Sequence, residues 1–204
     1  METDTRIQDF IRYLGHDPLL VEYPVWFHDR RVFKYSQDGQ PRVCKIRPED
    51  EKAYIELEKA QLWFPFNGIH CISYDTNNGL FALDMPWLGL SMSHLNDIIL
   101  GYDEYYDFDG TLQPLYGFNR NEIDRLVDDL TSRMYNFASY YDLVHNDLFA
   151  NGAPNNIVFI PGTSYLSLID PEAFCEYSEN SWQIFLNRME QVRIFMYEYL
   201  TPNS

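Results

Sequence analysis

The spacing of apolar and polar positions differs between the two halves of the chain. The first half contains short apolar runs bounded by polar turns, a pattern typical of β-strands: VEYPVWF, RRVFKYS, PRVCKI, HCISY and LFALDM. The turn Ser36–Gln40 carries an Asp-Gly hairpin signal. The turn Asp75–Gly79 is predicted to join the last two runs as a second hairpin. The first half is therefore predicted to form an antiparallel sheet.

One helix is predicted within this strand-rich half, over residues 49–64. Pro48 precedes it and three acidic residues open it, which is favourable in the first turn of a helix. Pro65 is predicted to end it. The face predicted to be apolar consists of Ala53, Leu57, Ala60 and Gln61 or Leu62.

The second half is predicted to be mainly helical. The strongest helical spacing covers Asn121–Tyr141, with Asn119 or Asn121 as the N-cap. A short hairpin of NIVFI and YLSLID follows, and a last helix is predicted from about Trp182 to Leu200. The apolar face of the strongest helix is predicted to consist of Ile123, Leu126, Val127, Leu130, Met134, Phe137, Ala138 and Tyr141.

This order of elements predicts an α+β fold with two lobes in a single domain. The N-terminal lobe, at about 1–83, is predicted to contain the antiparallel sheet. The C-terminal lobe, at about 84–204, is predicted to be short and helical. A length of 204 residues fits one domain or two lobes that share a cleft.

Charge and composition limit the partners of the protein. The net charge of −16 argues against nucleic acid or an anionic membrane surface as the main partner. A nucleotide site would need locally placed cations or metal ions, because the overall field repels phosphates. The sequence shows no signal-peptide pattern, no long apolar run and no CxxC spacing among its three cysteines. We therefore predict a cytoplasmic protein that does not insert into membranes.

A series of charged and polar residues has the order that phosphoryl transfer from ATP needs. That reaction uses a lysine on the phosphates, a helical glutamate that holds the lysine, an aspartate that orients the acceptor, and Mg²⁺ ligands. The sequence offers Lys45 within VCKI, Glu58 on the next predicted helix, Asp147 within His-Asn-Asp, Asn156, and Asp170. Asp84 and Met85, in a strand that leads to a hinge, are candidates for binding the nucleotide together with Lys45.

The chain resembles the protein-kinase-like superfamily over residues 21–174. This superfamily includes eukaryotic-type protein kinases and aminoglycoside- and choline-type phosphotransferases. The motifs His-Asn-Asp-Leu and Leu-Ile-Asp-Pro-Glu are similar to those of the phosphotransferase branch. The resemblance implies ATP and Mg²⁺ as cofactors, Asp147 as the catalytic aspartate, and Lys45–Glu58 as the phosphate-positioning pair. It further implies metal ligands at Asn156 and Asp170, with Asn155 or Asn151 as alternatives to Asn156.

Three departures from the family pattern stand out. The interval from Asp147 to Asn156 is nine residues where the family has about five, so residues 149–152 are interpreted as an insertion. The turn at residues 23–30 contains no glycine, although a loop that covers phosphates needs close backbone approach. Only 34 residues follow Asp170, which is similar to compact kinases that bacterial pathogens inject into host cells.

Alternative interpretations exist for these residues. Taken one at a time, each residue has an ordinary structural explanation: Lys45 as a solvated lysine on a strand, for example, or Asn156 as an asparagine in a turn. Their occurrence together, in this order, is what supports the kinase interpretation. The segment Asp107–Leu112 matches a D-x-D-G-T pattern that resembles haloacid-dehalogenase-type phosphatases. We favour a solvated insert there, because the acidic run before it does not fit a buried parallel strand.

The sequence therefore predicts an ATP- and Mg²⁺-dependent phosphotransferase, favouring a minimal Ser/Thr protein kinase acting on a protein substrate. A bacterial effector that reaches a host cytoplasm without a cleavable signal is one form of this hypothesis. Two alternatives remain open. One is a pseudokinase that serves as a binding module, and the other is a kinase for hydroxyl groups of small molecules.

Overall fold

The computed structural model describes residues 5–21, 31–89, 92, 118–150, 153–159 and 165–201. The described residues combine α-helices with strands that all pair antiparallel, which confirms the predicted α+β class. The chain divides into two compact units, Met1–Trp87 and Leu88–Ser204. The predicted boundary at Leu83 falls earlier, because the strand that contains Leu83 continues to Pro86.

The first unit is built on a four-stranded antiparallel sheet. The strand order is β1-β2-β4-β3, with β4 paired to β2 on one side and to β3 on the other. The elements are α1 Thr5–Tyr13, β1 Val32–Gln37, β2 Gln40–Pro48, α2 Glu51–Phe66, β3 Ser73–Asn77 and β4 Leu80–Pro86.

Tight turns close both hairpins of this sheet. Asp38 and Gly39 have φ of 53° and 77°, and Asn78 and Gly79 have φ of 53° and 74°. Left-handed conformations at both central positions match the right-handed twist of the flanking strands, which explains the Asp-Gly and Asn-Gly pairs. Both predicted hairpins are confirmed.

Helix α1 was not predicted, although its pattern is visible in the sequence. Ile7, Phe10 and Ile11 recur at helical spacing and are buried. They pack in one apolar cluster with side chains from one face of the sheet, among them Phe33 and Ile46. The first unit therefore covers one face of its sheet with an amino-terminal helix.

Helix α2 begins at a well-formed cap. The Asp50 side chain accepts a hydrogen bond from the backbone N–H of Ala53 at 2.9 Å. The helix extends one residue beyond Pro65 to Phe66, whereas the sequence placed its end at Pro65. The buried positions include the predicted Ala53, Leu57 and Ala60, and also Glu56, Trp63 and Phe64.

The second unit combines two long helices with short two-stranded sheets. Within the described residues β5 pairs with β10, β6 with β7, and β8 with β9, all antiparallel. The elements are α3 Arg120–Tyr141, β5 Leu143–His145, β6 Phe149–Ala150, β7 Ala153–Pro154, β8 Ile157–Phe159, β9 Leu166–Leu168, a 3-10 turn Pro171–Ala173, β10 Phe174–Glu176 and α4 Glu179–Tyr199.

Helix α3 matches its prediction closely. Asn119 and Glu122 form a reciprocal capping box, which settles the choice between Asn119 and Asn121 as the N-cap. The predicted apolar face is buried except at Tyr141, which is 41% exposed. Asp142 ends the helix in the left-handed conformation, at φ 56°.

Arg193 of α4 connects the two long helices. Its guanidinium donates to Asp124 and, at 2.7 Å, to Asp128, both on α3, and at 3.1 Å to Glu190 on its own helix. The Tyr197 hydroxyl also donates to Asp124. These hydrogen bonds, first from Tyr197 and then from Arg193, lower the pKa of Asp124 below its ordinary value of 3.8.

This lowered pKa predicts an acid-dependent contribution to stability. A carboxyl group with a depressed folded-state pKa contributes stability above its unfolded pKa and loses it as the pH falls through the folded pKa. We expect Asp124→Asn to be less stable than wild type at neutral pH. The difference in the free energy of unfolding between the two should disappear below about pH 4. Urea unfolding across the acidic range measures this gap.

Asp38→Asn is the matched control, because Asp38 is exposed in the β1–β2 turn and asparagine suits that turn equally well. A stability gap between wild type and Asp124→Asn that did not change with pH would contradict the prediction.

None of the described helices is both long and apolar enough to cross a membrane. Residues 22–30 lie outside the described residues, and with them most of the first predicted strand and the glycine-free turn. The D-x-D-G-T segment Asp107–Leu112 also lies outside them.

Candidate functional site

Lys45 lies in the middle of β2 on the sheet face next to α2. Strand residues alternate between faces, so Cys44 and Ile46 join the apolar cluster with α1 while Lys45 and Arg47 project the other way. The Lys45 Nζ atom lies 2.8 Å from Oε1 of Glu56 on α2. The Glu56 side chain has no exposed surface, and the Lys45 side chain is 27% exposed.

The predicted partner of Lys45 was Glu58, and the structure replaces it with Glu56. Two residues along a helix correspond to a rotation of about 200°, so the two glutamates lie on opposite faces of α2. Glu56 is on the buried face, whereas Glu58 is exposed. The sequence contained a signal for this correction, because Glu56 is a charged residue three positions after Ala53 and four before Ala60, which are both buried.

Asp84 belongs to a structural ion pair. Arg42 donates from Nε to both carboxylate oxygens of Asp84, at 3.1 and 3.0 Å, and from Nη2 to Oδ2 at 2.7 Å. The backbone register of Asp84 pairs it with β2 on one side and with Ser73 of β3 on the other. The Asp84 side chain therefore has a structural role within the sheet, and nucleotide binding by Asp84 and Met85 stays a prediction.

His145 in the second unit is a buried framework residue. Its ring is fully buried, packs edge-on against Phe174 at 5.0 Å between centroids, and donates from Nε2 to the backbone carbonyl of Ile169 at 3.0 Å. Burial lowers the pKa of His145, which keeps the ring neutral. The histidine of the His-Asn-Asp motif thus joins β5 to the segment before Asp170.

Asp147 and Asn156 are connected directly. The Asn156 side-chain Nδ2 donates to the backbone carbonyl of Asp147 at 2.6 Å, and the backbone carbonyl of Asn156 accepts from Ile169 at 3.0 Å. Asn156 is 8% exposed, whereas the Asp147 side chain is exposed. The exposed carboxylate of Asp147 is therefore carried on a backbone that a buried amide holds in place.

Asp170 has a left-handed backbone, with φ of 62° and ψ of 75°. This region is unfavourable for residues with a Cβ atom, and asparagine and aspartate are the non-glycine types most often found there. Strain of this kind is concentrated at functional sites in proteins. The 3-10 turn Pro171–Ala173 follows, closed by a hydrogen bond from Ala173 N–H to the Asp170 carbonyl at 3.1 Å.

The insertion between Asp147 and Asn156 forms a very short hairpin. Strand β6 pairs with β7 in the register Phe149 to Pro154 and Ala150 to Ala153. The base of this hairpin is closed by a hydrogen bond from Asn155 N–H to the Leu148 carbonyl at 3.1 Å. The Arg188 guanidinium of α4 lies 5.7 Å from the centre of the Phe149 ring. The described residues on either side of positions 151–152 are therefore paired with each other.

The candidate residues thus fall into two sets, one in each unit. Lys45 and Glu56 are in contact within the first unit, and Asp147, Asn156 and the Asp170 segment are linked within the second. Asn151, an alternative ligand, lies outside the described residues. Sequence reasoning missed Glu56 and Arg47, which only the docking of α2 on the sheet brings together.

No protein-family model matches the chain, and the search of curated proteins also found no match.

Proposed function

We propose that the protein is an ATP- and Mg²⁺-dependent phosphotransferase of the protein-kinase-like type, acting on Ser or Thr hydroxyls of a protein. The observation that carries the proposal is the hydrogen bond from Asn156 to the Asp147 backbone. Phosphoryl transfer depends mainly on positioning and electrostatic stabilisation. A buried amide that fixes the candidate base next to a candidate metal ligand supplies such positioning.

The oxygen atoms of the second unit suit Mg²⁺ as a ligand set. The Asn156 amide nitrogen is used as a donor to Asp147, so its carbonyl oxygen is the acceptor that remains. Together with the Asp170 carboxylate it offers hard oxygen donors, which Mg²⁺ prefers. Bound there, Mg²⁺ would neutralise charge on the phosphates of ATP.

Each residue then has a specific role. The acceptor hydroxyl oxygen bonds to the γ-phosphorus, the bond from that phosphorus to the β–γ bridging oxygen breaks, and ADP leaves. The exposed Asp147 carboxylate orients the hydroxyl and takes its proton. Lys45 contacts the phosphates, and Glu56 takes the role that the sequence assigned to Glu58.

A protein acceptor is the favoured form of the proposal, and a small hydroxyl compound is the alternative. Ser and Thr are favoured over Tyr by the frequency of these acceptors among kinases of the family that the sequence resembles.

The test combines binding with transfer. We expect Mg²⁺ and ATP to raise the thermal midpoint, because ligand binding to the native state stabilises it. We also expect γ-labelled ATP to transfer label to the macromolecular fraction of a lysate. Lys45→Ala and Asp170→Ala should abolish transfer, whereas Lys52→Ala, at an exposed position on α2, should not.

The outcomes separate the alternatives. Label found only in the small-molecule fraction would replace the protein acceptor with a small hydroxyl compound. A thermal shift without transfer would indicate a pseudokinase that binds nucleotide. Absence of both a shift and transfer would reject the enzyme and favour a binding module.

A further inference from the structure

Three aromatic side chains of the second unit form a surface cluster where α3, β10 and α4 meet. The centre of the Trp182 ring, on α4, lies 5.8 Å from that of Tyr135 on α3 and 6.4 Å from that of Tyr177, which follows β10. The two tyrosine rings are inclined to the indole plane by 59° and 41°. Tyr135 is 55% exposed, and the other two side chains are half-buried. These three rings, termed the aromatic cluster, therefore offer part of their surface to a ligand.

The aromatic cluster is supported from the interior of the second unit. Trp182 stacks on the buried ring of Phe185, at 5.3 Å between centroids and 22° between planes. The backbone N–H of Trp182 also donates to the carbonyl of Ser178, the residue that caps α4. Tyr135 follows the buried Met134 on α3. Helical backbone and core packing thus hold these rings in place, which reduces the entropy that binding would cost.

Open aromatic surface of this kind favours a cationic ligand. The faces of Trp and Tyr rings carry negative charge density and attract guanidinium groups. Elsewhere in the second unit, arginines lie over the rings of Tyr197, Tyr165 and Phe149. No cation among the residues that the structure describes lies over the aromatic cluster. The cluster therefore has room for a guanidinium from outside the described residues.

Two carboxylates flank the aromatic cluster. Glu176 directly precedes Tyr177, and Glu179 lies three positions before Trp182 on α4, a spacing that brings side chains together. Both glutamates are exposed, and neither forms an ion pair within the described ranges of the chain. An arginine can stack on a ring and pair with a carboxylate at the same time. The net charge of −16 adds a long-range attraction for a basic partner.

We propose that the aromatic cluster is a docking surface for an arginine-rich segment of a partner protein. Guanidinium groups of that segment stack on the rings and form ion pairs with Glu176 and Glu179. This docking does not depend on phosphoryl transfer, and it would serve an enzyme and a binding module alike.

A fluorescein-labelled peptide in which arginine alternates with serine is the probe. Its affinity for the 204-residue chain is measured by fluorescence anisotropy at about 0.15 M salt, where charges more than about 8 Å away are largely screened. We expect Tyr135→Leu and Trp182→Leu each to weaken binding about fivefold, which corresponds to the loss of one cation–π contact. Neither substitution changes the net charge, so general attraction to an acidic protein stays the same.

Tyr140→Leu is the matched control on the same helix. Tyr140 is 78% exposed, and five residues along α3 place it about 140° around the helix from Tyr135. The Tyr140→Leu variant should bind the peptide as tightly as wild type. Thermal unfolding checks that Trp182→Leu folds, because that substitution also removes the stack on Phe185. If it does not fold, Tyr135→Leu provides the comparison, since its ring is mainly exposed.

Three results would overturn the docking surface. Equal affinity of wild type, Tyr135→Leu and Tyr140→Leu for the peptide would show attraction by net charge alone. Tighter binding of a matched peptide with glutamate in place of arginine would show that the partner segment is acidic. A wild-type dimer in sedimentation experiments that Tyr135→Leu converts to a monomer would show that a second copy of the chain covers the rings.

Discussion

Glu56→Gln is expected to destabilise the protein by about 3 kcal/mol, the lower end of the cost of breaking a buried ion pair. The substitution keeps the shape of the side chain but removes the charge that two cations share. Lys45 and Arg47 would then lie next to each other without this shared counter-charge in a largely buried place. The lower end applies because Lys45 is 27% exposed and water reduces the cost of its charge. Chemical denaturation measures the change in the free energy of unfolding.

Glu58→Gln provides the matched control on the same helix. Glu58 is exposed, so the same chemical change should alter stability by less than about 0.5 kcal/mol. The comparison also tests which glutamate is the partner of Lys45. A larger loss of stability in Glu58→Gln than in Glu56→Gln would contradict the contacts of α2 and restore the partner that the sequence suggested.

Under the proposed function, Asp147→Asn is expected to lower the rate of phosphoryl transfer about 10²- to 10⁴-fold, the range that a positioned acid or base contributes. The stability of the protein should stay unchanged, because the Asp147 side chain is exposed and Asn156 binds only its backbone carbonyl. ATP binding should also persist, since Asp147 is assigned to the acceptor hydroxyl. Rates of γ-phosphate transfer, together with thermal unfolding, measure these effects.

Asp142→Asn is the matched control for this substitution. Asp142 is an exposed aspartate five positions earlier, and its left-handed backbone is one that asparagine tolerates well. The Asp142→Asn variant should keep the wild-type rate of phosphoryl transfer. Full activity in Asp147→Asn would remove Asp147 as the residue that takes the proton, and it would leave the positioning by Asn156 without a catalytic purpose.

Local interactions explain the parts of the fold that the sequence predicted. The Asp-Gly and Asn-Gly turns require left-handed backbone at two adjacent positions, which few other residue pairs supply. The capping box of Asn119 and Glu122 likewise involves groups three residues apart. Helix α1 has an equally regular pattern at Ile7, Phe10 and Ile11, so short-range spacing specifies this helix as well.

For the candidate residues of the second unit, the sequence shows their order along the chain but not the contacts between them. The order of Asp147, Asn156 and Asp170 is present in the sequence, whereas the hydrogen bond from Asn156 to Asp147 spans nine residues and an intervening hairpin. Periodicity does not specify such a contact, because it joins residues separated by the β6–β7 pairing. The left-handed backbone of Asp170 is also a product of the surrounding structure.

The sequence by itself determined the α+β class, the hairpins, the long helices and the chemical types of the candidate residues, because short-range spacing controls them. Only the tertiary structure decided that Lys45 contacts Glu56 rather than Glu58, that Arg47 shares this carboxylate, and that Asp84 is bound by Arg42. Glutamate has the same chemistry at both positions of α2. The rotation of the helix against the sheet selects between them, and burial of its apolar side chains fixes that rotation.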